Sequence, residues 1–416
     1  MSYTRDYNTV AGENGLVFPW LIFLVTLLMI PIGGTNYLQI LFACYVYCYA
    51  IFKKSSERRI EDSNISTYGK YFVIFMYISV PIGLISGVGL RTQFADILTS
   101  ALPYISMVIG SYYATKYRER SNIKLVAIIL IIEFFVGLGQ NLNEGFRQFV
   151  FELYDTETRL ISYVAEDVGR AVGTLRSPNY YGLVCVILGI VFVGLFFDKE
   201  SRKNRTYNAF NSVMILVIVS SVVFSVSKTA VICISCVLVL CSMLSPSLNR
   251  PAKFCIFILC IIAINILIPK FEDYSNRVID ISSMTGRSDN WKRIIELGFS
   301  NNPGRIFFGY GNGYSTAENL GIYADSFYIL LLFEQGIIGM IGYFITWITI
   351  VIKTYKRKPS IYRTYTLCLI CVMLLSDITA AITDMPIVCI IVYYLIGRYS
   401  TLSMCDDKML MWKGDI

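Results

Sequence analysis

Long apolar runs alternate with shorter polar segments along the whole chain. Most of these runs contain roughly 17 to 25 residues, enough for an α-helix to cross a hydrocarbon core about 30 Å thick. The pattern predicts twelve membrane-spanning helices, at residues 16–34, 36–52, 71–90, 96–115, 123–139, 179–197, 208–226, 229–245, 252–269, 326–352, 360–376 and 384–400. We therefore expect an all-α polytopic membrane protein, with one transmembrane domain over residues 1–416 and no separate soluble domain.

The longest apolar run, residues 208–244, contains a single charged residue, Lys228. One helix over this run is about 56 Å long at 1.5 Å per residue, far more than the hydrocarbon core requires. The run must therefore break. We expect the break in the polar sequence Ser-Val-Ser-Lys-Thr-Ala at residues 225–230.

The distribution of positive charge predicts the orientation. Twelve spans place both termini on one side, and that side then carries 24 of the 36 Lys and Arg residues. Such an excess is typical of cytoplasmic segments. Both termini are thus predicted to be cytoplasmic, and two long loops, at about 140–178 and 270–325, lie on the outer side. The first apolar run has no small-residue cleavage site after it, which favours a retained helix over a signal peptide.

Composition supports the membrane assignment and limits the chemistry. The chain is 55% hydrophobic and 16% charged, against about 25% charged residues in soluble proteins. It contains no histidine, which excludes a histidine base, a Ser-His-Asp triad and a histidine-bound metal. Eleven of the twelve cysteines lie in apolar runs, where helix packing is favoured over metal or redox chemistry.

The outer loops and two spans carry charged residues that need an explanation. The loops are rich in Arg, whose guanidinium pairs bidentately with phosphate. These Arg residues either serve an anionic ligand or balance the acidic residues of the same loops. Glu133 and Glu334 lie inside apolar runs. Intramembrane acids are costly, so each either lines a cavity or packs against a partner.

Four short elements lie at the predicted span ends on the outer side. They are Arg-x-x-Gly-x-x-x-x-Pro-Asn at 170–179, Ser-Lys-Thr-Ala at 227–230, Gly-Arg-x-x-x-Trp at 286–291, and a glycine-rich segment that starts at Asn302–Pro303 and leads to a helix start. In this order they resemble elements of the O-antigen polymerase and O-antigen ligase superfamily of bacterial envelopes. The resemblance covers residues 160–350 together with the hydropathy of the rest.

One position separates the two branches of this family. Ligases carry a His-[Asn/Ser]-x9-Gly-x2-[Gly/Thr/Tyr] pattern where the large outer loop re-enters the membrane. Here Asp325, Ser326, Gly336 and Gly339 have that spacing, with Asp in place of His. The departure argues against ligase activity, so the resemblance favours the polymerase branch, with Asp325 at the mouth of the active site.

The resemblance implies a GT-C-like glycosyltransferase of the bacterial inner membrane whose active side is periplasmic. Its substrates would be undecaprenyl-diphosphate-linked oligosaccharides, which are polymerised into O-antigen without a metal or other cofactor. A separate chain-length regulator is implied as a partner, besides the membrane lipids themselves. Nothing in the sequence indicates nucleic-acid binding.

The candidate residues follow from the family elements and from the need to stabilise an anionic leaving group. The predicted catalytic residues are Asp325 and Arg287. The predicted diphosphate- or glycan-binding residues are Arg170, Arg176, Asn179, Lys228 and Trp291, and the candidate cavity acids are Glu133 and Glu334. Three alternatives stay open: a flippase or transporter of lipid-linked glycans, an O-antigen ligase, and a polymerase of another envelope polysaccharide.

Overall fold

Every regular element in the described part of the chain is a helix. The computed structural model describes residues 63–114, 119–153, 170–175, 177–276, 284–300, 302–322, 324, 326–379 and 386–412. The helices are α1 Ser63–Ile85, α2 Leu90–Ala114, α3 Glu119–Leu142, α4 Glu144–Leu153, α5 Pro178–Phe197, α6 Lys199–Lys203, α7 Arg205–Ser225, α8 Lys228–Leu244, α9 Arg250–Asn276, α10 Met284–Phe299, α11 Arg305–Phe308, α12 Thr316–Leu320, α13 Phe327–Tyr355, α14 Ile361–Ser376 and α15 Pro386–Trp412.

Eight of these helices are long and apolar enough to cross a membrane: α1, α2, α3, α5, α7, α9, α13 and α15. Two shorter apolar helices, α8 and α14, lie at predicted spans as well. The multi-pass helical architecture is therefore confirmed. The predicted spans at 16–34 and 36–52 lie outside the described residues.

The predicted break near Lys228 is confirmed. Helix α7 ends at Ser225 and α8 begins at Lys228. Between them Val226 adopts a left-handed conformation, with φ 49° and ψ 36°, which is strained for a β-branched residue. Ser227 then caps α8, because its side-chain oxygen accepts from the backbone N–H of Ala230 at 3.3 Å.

Helices α5 and α15 form the centre of the bundle, since nearly all of their described side chains are buried. Helix α9 lies at the periphery, where its apolar side chains are largely exposed. The crossing of α2 and α15 depends on two small residues. A Cβ on Gly110 would stand 2.0 Å from the Tyr394 carbonyl oxygen, and one on Gly397 would stand 2.1 Å from that of Met107. Small residues permit such close backbone approach in membrane proteins.

The two ends of the bundle differ. At the loop end, defined as the end where α3, α7 and α14 finish and α5, α8 and α13 begin, two long segments precede α5 and α13, whereas α7 and α8 are joined by two residues. At the far end, buried arginines donate to backbone carbonyls near helix ends: Arg363 to Tyr355 and Arg357, and Arg398 to Tyr113 at 3.0 Å. Cations are favourable at helix C-termini, because the free carbonyls there carry partial negative charge.

The glycine-rich segment Gly309–Tyr314 inserts into the bundle at the loop end. Asn312 is fully buried, and its backbone N–H donates to the Ser79 carbonyl oxygen of α1 at 3.2 Å. Gly309, Gly311 and Gly313 all have positive φ. The glycines therefore serve as turn residues, in a segment that the sequence placed in a plain outer loop.

Helix α13 is interrupted where this segment docks. Gly336 has φ 65° and ψ −170°, so the helical hydrogen-bond ladder is broken there. The carbonyls of Phe333 and Glu334 instead accept from the backbone N–H groups of Tyr310, at 2.6 Å, and Gly311, at 2.9 Å. The inserted segment thus satisfies backbone acceptors that the break leaves over.

Candidate functional site

Two of the four sequence elements meet at the loop end through one amide. The Asn179 side-chain oxygen accepts from the Arg170 guanidinium at 3.4 Å and from the Ser227 hydroxyl at 3.0 Å. Arg170 also donates to the carbonyls of Ser225 and Val226, at 3.2 and 3.3 Å, which lie at the end of α7. Arg170, Asn179 and the start of α8 therefore form one hydrogen-bonded joint.

The segment between Arg170 and α5 is buried rather than displayed on the surface. Residues 171–175 are buried, and the backbone N–H of Ala171 donates to the Phe224 carbonyl oxygen at 2.9 Å. Gln140 of α3 accepts from the N–H groups of Val172 and Gly173, at 2.9 and 3.0 Å, and its amide donates back to the Gly173 carbonyl. These bonds anchor the segment to α3 and α7.

Glu133 has a structural role in this anchorage. Its buried carboxylate accepts from both the backbone N–H and the hydroxyl of Thr174. Tyr181 of α5 donates to the Glu133 backbone carbonyl at 3.2 Å. Of the two roles that the sequence left open for Glu133, these contacts favour packing against a partner. The carboxylate acts as a cap for the buried segment that carries Arg170.

Lys228 occupies the first turn of α8, directly after its cap Ser227, and is half-buried. A cation at this position opposes the helix dipole, whose N-terminal end is already partly positive. The N-termini of α5 and α13 lie at the same end of the bundle. The local field there favours an anionic group, as helix N-termini do generally.

The turn Asp377–Thr379 after α14 connects the joint to the start of α13, where the sequence places Asp325. The Thr379 hydroxyl lies 2.5 Å from that of Thr229 in α8. On the other side, the Asp377 carbonyl accepts from the backbone N–H of Phe327 at 3.0 Å and from the Ser326 hydroxyl at 3.3 Å. The segment at the start of α13, which contains Ser326, is thus connected to the same joint through this turn.

Asp377 is a buried acid at this turn that the sequence pattern does not single out. Its side chain is buried, and Tyr343 donates to its carboxylate at 3.0 Å. The available signal was an acid at the end of a predicted span, next to the short polar segment 376–384. That signal did not distinguish Asp377 from an exposed loop acid, because its burial depends on the packing of α13 against α14.

Helix α10 carries the third of the four sequence elements and packs against the break region of α13. Ile294 is buried, and a Cβ on Gly298 would stand 2.3 Å from the Phe333 ring. Trp291 lies one turn before Ile294 and is half-buried. Arg287 precedes Trp291 by one turn on the same helix, and its side chain lies outside the described residues.

The aromatic residues of the inserted segment pack against protein. Tyr310 and Tyr314 stack with ring centroids 4.3 Å apart, and both stack on Phe333. Tyr310 also donates to the Gly298 carbonyl, and the Arg305 guanidinium stands 5.3 Å from its ring centroid. These contacts explain the two tyrosines as packing residues of the inserted segment.

The remaining candidate residues do not lie at the joint among the described side chains. Glu334 lies at the break of α13 and is half-buried, against the inserted segment rather than at the joint. Arg176 and Asp325 lie outside the described residues, although their neighbours Leu175, Ser177 and Ser326 do not. Within the described ranges, no group of three or more His, Cys, Asp and Glu residues is arranged to hold a metal ion.

No protein-family model matches the sequence, and no curated protein matches it significantly. Function is therefore inferred from the sequence elements and from the geometry of the joint.

Proposed function

We propose that this protein is a metal-independent glycosyltransferase that polymerises lipid-linked oligosaccharide repeat units, of the O-antigen polymerase type. In the proposed orientation, the loop end of the bundle faces the periplasm and the joint lies at the membrane surface. The substrates are oligosaccharides on undecaprenyl diphosphate, and a chain-length regulator is the expected partner.

One observation carries the proposal. Three separate sequence elements, around Arg170, Lys228 and Ser326, are connected by hydrogen bonds at one end of the bundle. The connection passes from Asn179 through Ser227 and Thr229 to the turn after α14. These three elements are far apart in the sequence but adjacent at the loop end, as the parts of one site would be.

The proposed reaction is the transfer of the donor glycan from its lipid diphosphate to a hydroxyl of the acceptor sugar. A hydroxyl of the acceptor sugar attacks the anomeric carbon of the donor glycan, and the bond from that carbon to the diphosphate oxygen breaks. The electron pair leaves with undecaprenyl diphosphate, and the hydroxyl proton passes to a base, for which Asp325 is the candidate. Fixed positive charge from Lys228 and Arg287, with the helix N-termini, would stabilise the leaving diphosphate.

Arg170 and Asn179 have a different part in this scheme. The described hydrogen bonds of Arg170 are to the carbonyls at the end of α7 and to Asn179. These contacts hold the first turn of α8 in place and with it Lys228. We therefore assign Arg170 and Asn179 to positioning, and keep the catalytic assignment for Asp325 and Arg287.

The test is lipopolysaccharide banding in a host that lacks its own polymerase and makes the matching repeat unit. Expression of the wild-type chain should give a ladder. Arg287→Ala should reduce the ladder to a band with one repeat unit, since the loss of one charge at a developing anion costs about 100-fold or more in rate. Asp325→Ala should do the same if this acid is the base.

Arg293→Ala is the matched control, because Arg293 is an exposed basic residue of the same helix α10. It should keep the ladder, and membrane levels of all variants should be equal by immunoblot. A well-expressed wild-type chain without any ladder would refute polymerisation and favour the flippase. If Arg293→Ala lost the ladder to the same extent, the effect of Arg287→Ala would come from the total positive charge of the loop and not from a specific role of Arg287.

A further inference from the structure

The inserted segment Gly309–Tyr314 contacts a group of buried oxygen atoms that the proposed reaction does not use. The group is contributed by Ser79 of α1, Gln93 and Asp96 of α2, and Asn312 of the segment itself. Ser79, Gln93 and Asn312 are 1%, 2% and 0% exposed. Among the described residues, none of the atoms Ser79 Oγ, Gln93 Oε1, Asp96 Oδ2 and Asn312 Oδ1 has a hydrogen-bond partner.

Backbone contacts hold these four residues close together. Asn312 donates from its backbone N–H to the Ser79 carbonyl at 3.2 Å, and from its side-chain amide to the Gln93 carbonyl at 3.1 Å. The Asp96 carboxylate is within hydrogen-bonding reach of the backbone N–H of Gly313. Gln93 and Asp96 are three residues apart on α2 and therefore share one face of that helix.

The side-chain atoms without a partner in this group are all oxygens that can accept hydrogen bonds. The side-chain nitrogen of each amide donates one hydrogen bond, from Gln93 to the Val88 carbonyl at 3.1 Å and from Asn312 to that of Gln93 at 3.1 Å. The atoms left over are all oxygens, and one belongs to a carboxylate. Within the described part of the chain, Asp96 forms no ion pair with a basic side chain. Buried oxygens that lack donors and include an anion call for a positive partner.

We propose that Ser79, Gln93, Asp96 and Asn312 bind a hard cation that fastens the inserted segment to α1 and α2. Carboxylate, amide and hydroxyl oxygens are the ligands that Ca²⁺ prefers, and backbone carbonyls and water complete its six to eight positions. A water molecule could donate to two of these oxygens, but it would not neutralise the carboxylate. The cation joins three separate parts of the chain, so the insertion of Gly309–Tyr314 should depend on it.

The proposal is tested on the full-length chain in detergent after treatment with a chelator. Ca²⁺ alone is the first probe, and equilibrium dialysis with radioactive Ca²⁺ should detect about one ion per chain. Thermal unfolding is then followed with Ca²⁺, Mg²⁺ or Na⁺ against a salt of a large organic cation. At a hundredfold excess over the dissociation constant, the bound ion should raise the unfolding midpoint by about 3 °C. The cation that raises the midpoint at the lowest concentration, among Ca²⁺, Mg²⁺ and Na⁺, is the ion that the site prefers.

Asp96→Asn removes the charge and keeps the shape and an acceptor for Gly313. It should abolish the rise in the midpoint, whereas Asp289→Asn, which changes an exposed acid of α10, should keep it. Without added ion, Asp96→Asn should be at least as stable as the wild type, because an uncompensated buried charge is gone.

Ser79→Ala gives a second reading if Asp96→Asn does not fold, since it removes one neutral oxygen and should raise the ion concentration needed for half the effect. The wild-type result alone can also refute the site. No bound ion and no shift of the midpoint with any of the three cations would mean that water or a protonated Asp96 satisfies these oxygens. An unchanged response in Asp96→Asn would place the ion elsewhere.

Discussion

Gly173 has a backbone conformation and a surrounding space that a larger residue does not fit. Its φ is +58°, and a Cβ there would stand 2.3 Å from the Glu133 carboxylate and 2.4 Å from the Tyr181 ring. Both neighbours are fixed, since Glu133 bonds to Thr174 and Tyr181 bonds to the Glu133 carbonyl. The buried segment that begins at Arg170 is thus coupled directly to α3 and α5 at this glycine.

We expect Gly173→Ala to destabilise the protein by about 3 kcal/mol, from left-handed strain and from the displaced carboxylate. The measurement is thermal unfolding of the purified protein in detergent, followed by size-exclusion chromatography. Gly304→Ala is the matched control, because φ at Gly304 is −63° and the nearest atom to its Cβ would be 3.6 Å away. Equal stability of the two variants would contradict the placement of residues 171–175.

The element at 170–179 has structural roles that its sequence pattern does not reveal. The element at 170–179 indicated an anion-binding Arg, yet each of its fixed positions has a structural reason. Arg170 caps α7, Gly173 fits against Glu133, Pro178 is the first residue of α5, and Asn179 bridges to Ser227. The type of residue was predictable from the sequence. Its contacts were not, because they depend on α7 ending beside it.

The break in α13 is possible only because residue 336 is a glycine. A Cβ on Gly336 would stand 2.3 Å from the Phe307 backbone carbonyl, and φ at Gly336 is +65°. The position therefore requires glycine on both counts. The inserted segment depends on the break, since its N–H groups donate to the carbonyls that the break leaves over.

Gly336→Ala should favour a continuous α13 and expel the inserted segment, because alanine prefers helical dihedral angles. We expect faster trypsin cleavage at Arg305, which is half-buried beside the segment, and a loss of stability of about 2–4 kcal/mol. Gly342→Ala in the same helix is the control, since its Cβ would meet nothing closer than 3.5 Å. Identical cleavage rates for the two variants would show that the segment does not depend on the break.

Hydropathy located the ten apolar helices among the described residues, although α1, predicted at 71–90, spans Ser63–Ile85. It failed where the chain departs from regular spans. The break before Lys228 followed from length alone, since one helix of residues 208–244 exceeds the bilayer. Length does not reveal the break at Gly336, because a helix of 29 residues, the length of α13, can still cross the bilayer when it is tilted. The insertion of Gly309–Tyr314 depends on partners in α1, α2 and α13, most of which lie far away in the sequence.

Three buried arginines mark one end of the described helix bundle. Arg357, Arg363 and Arg398 are buried at the far end, where they donate to carbonyls, and the sequence assigns that end to the cytoplasm. The loop end carries the joint and the inserted segment. The proposed reaction requires the loop end to face outward, because lipid-linked repeat units are polymerised on the periplasmic side in the proposed scheme.

The orientation can be measured with single cysteines and a membrane-impermeant maleimide. Glu318 in α12 is exposed at the loop end, and Pro246 is exposed in the turn between α8 and α9 at the far end. In intact spheroplasts, Glu318→Cys should be labelled, whereas Pro246→Cys should be labelled only after permeabilisation, because Lys and Arg are concentrated on the side of Pro246. Labelling of the wild-type chain gives the background from its native cysteines. The reverse pattern would place the joint in the cytoplasm and refute the periplasmic polymerase, while the hydrogen bonds of the joint and the cation site would be unaffected.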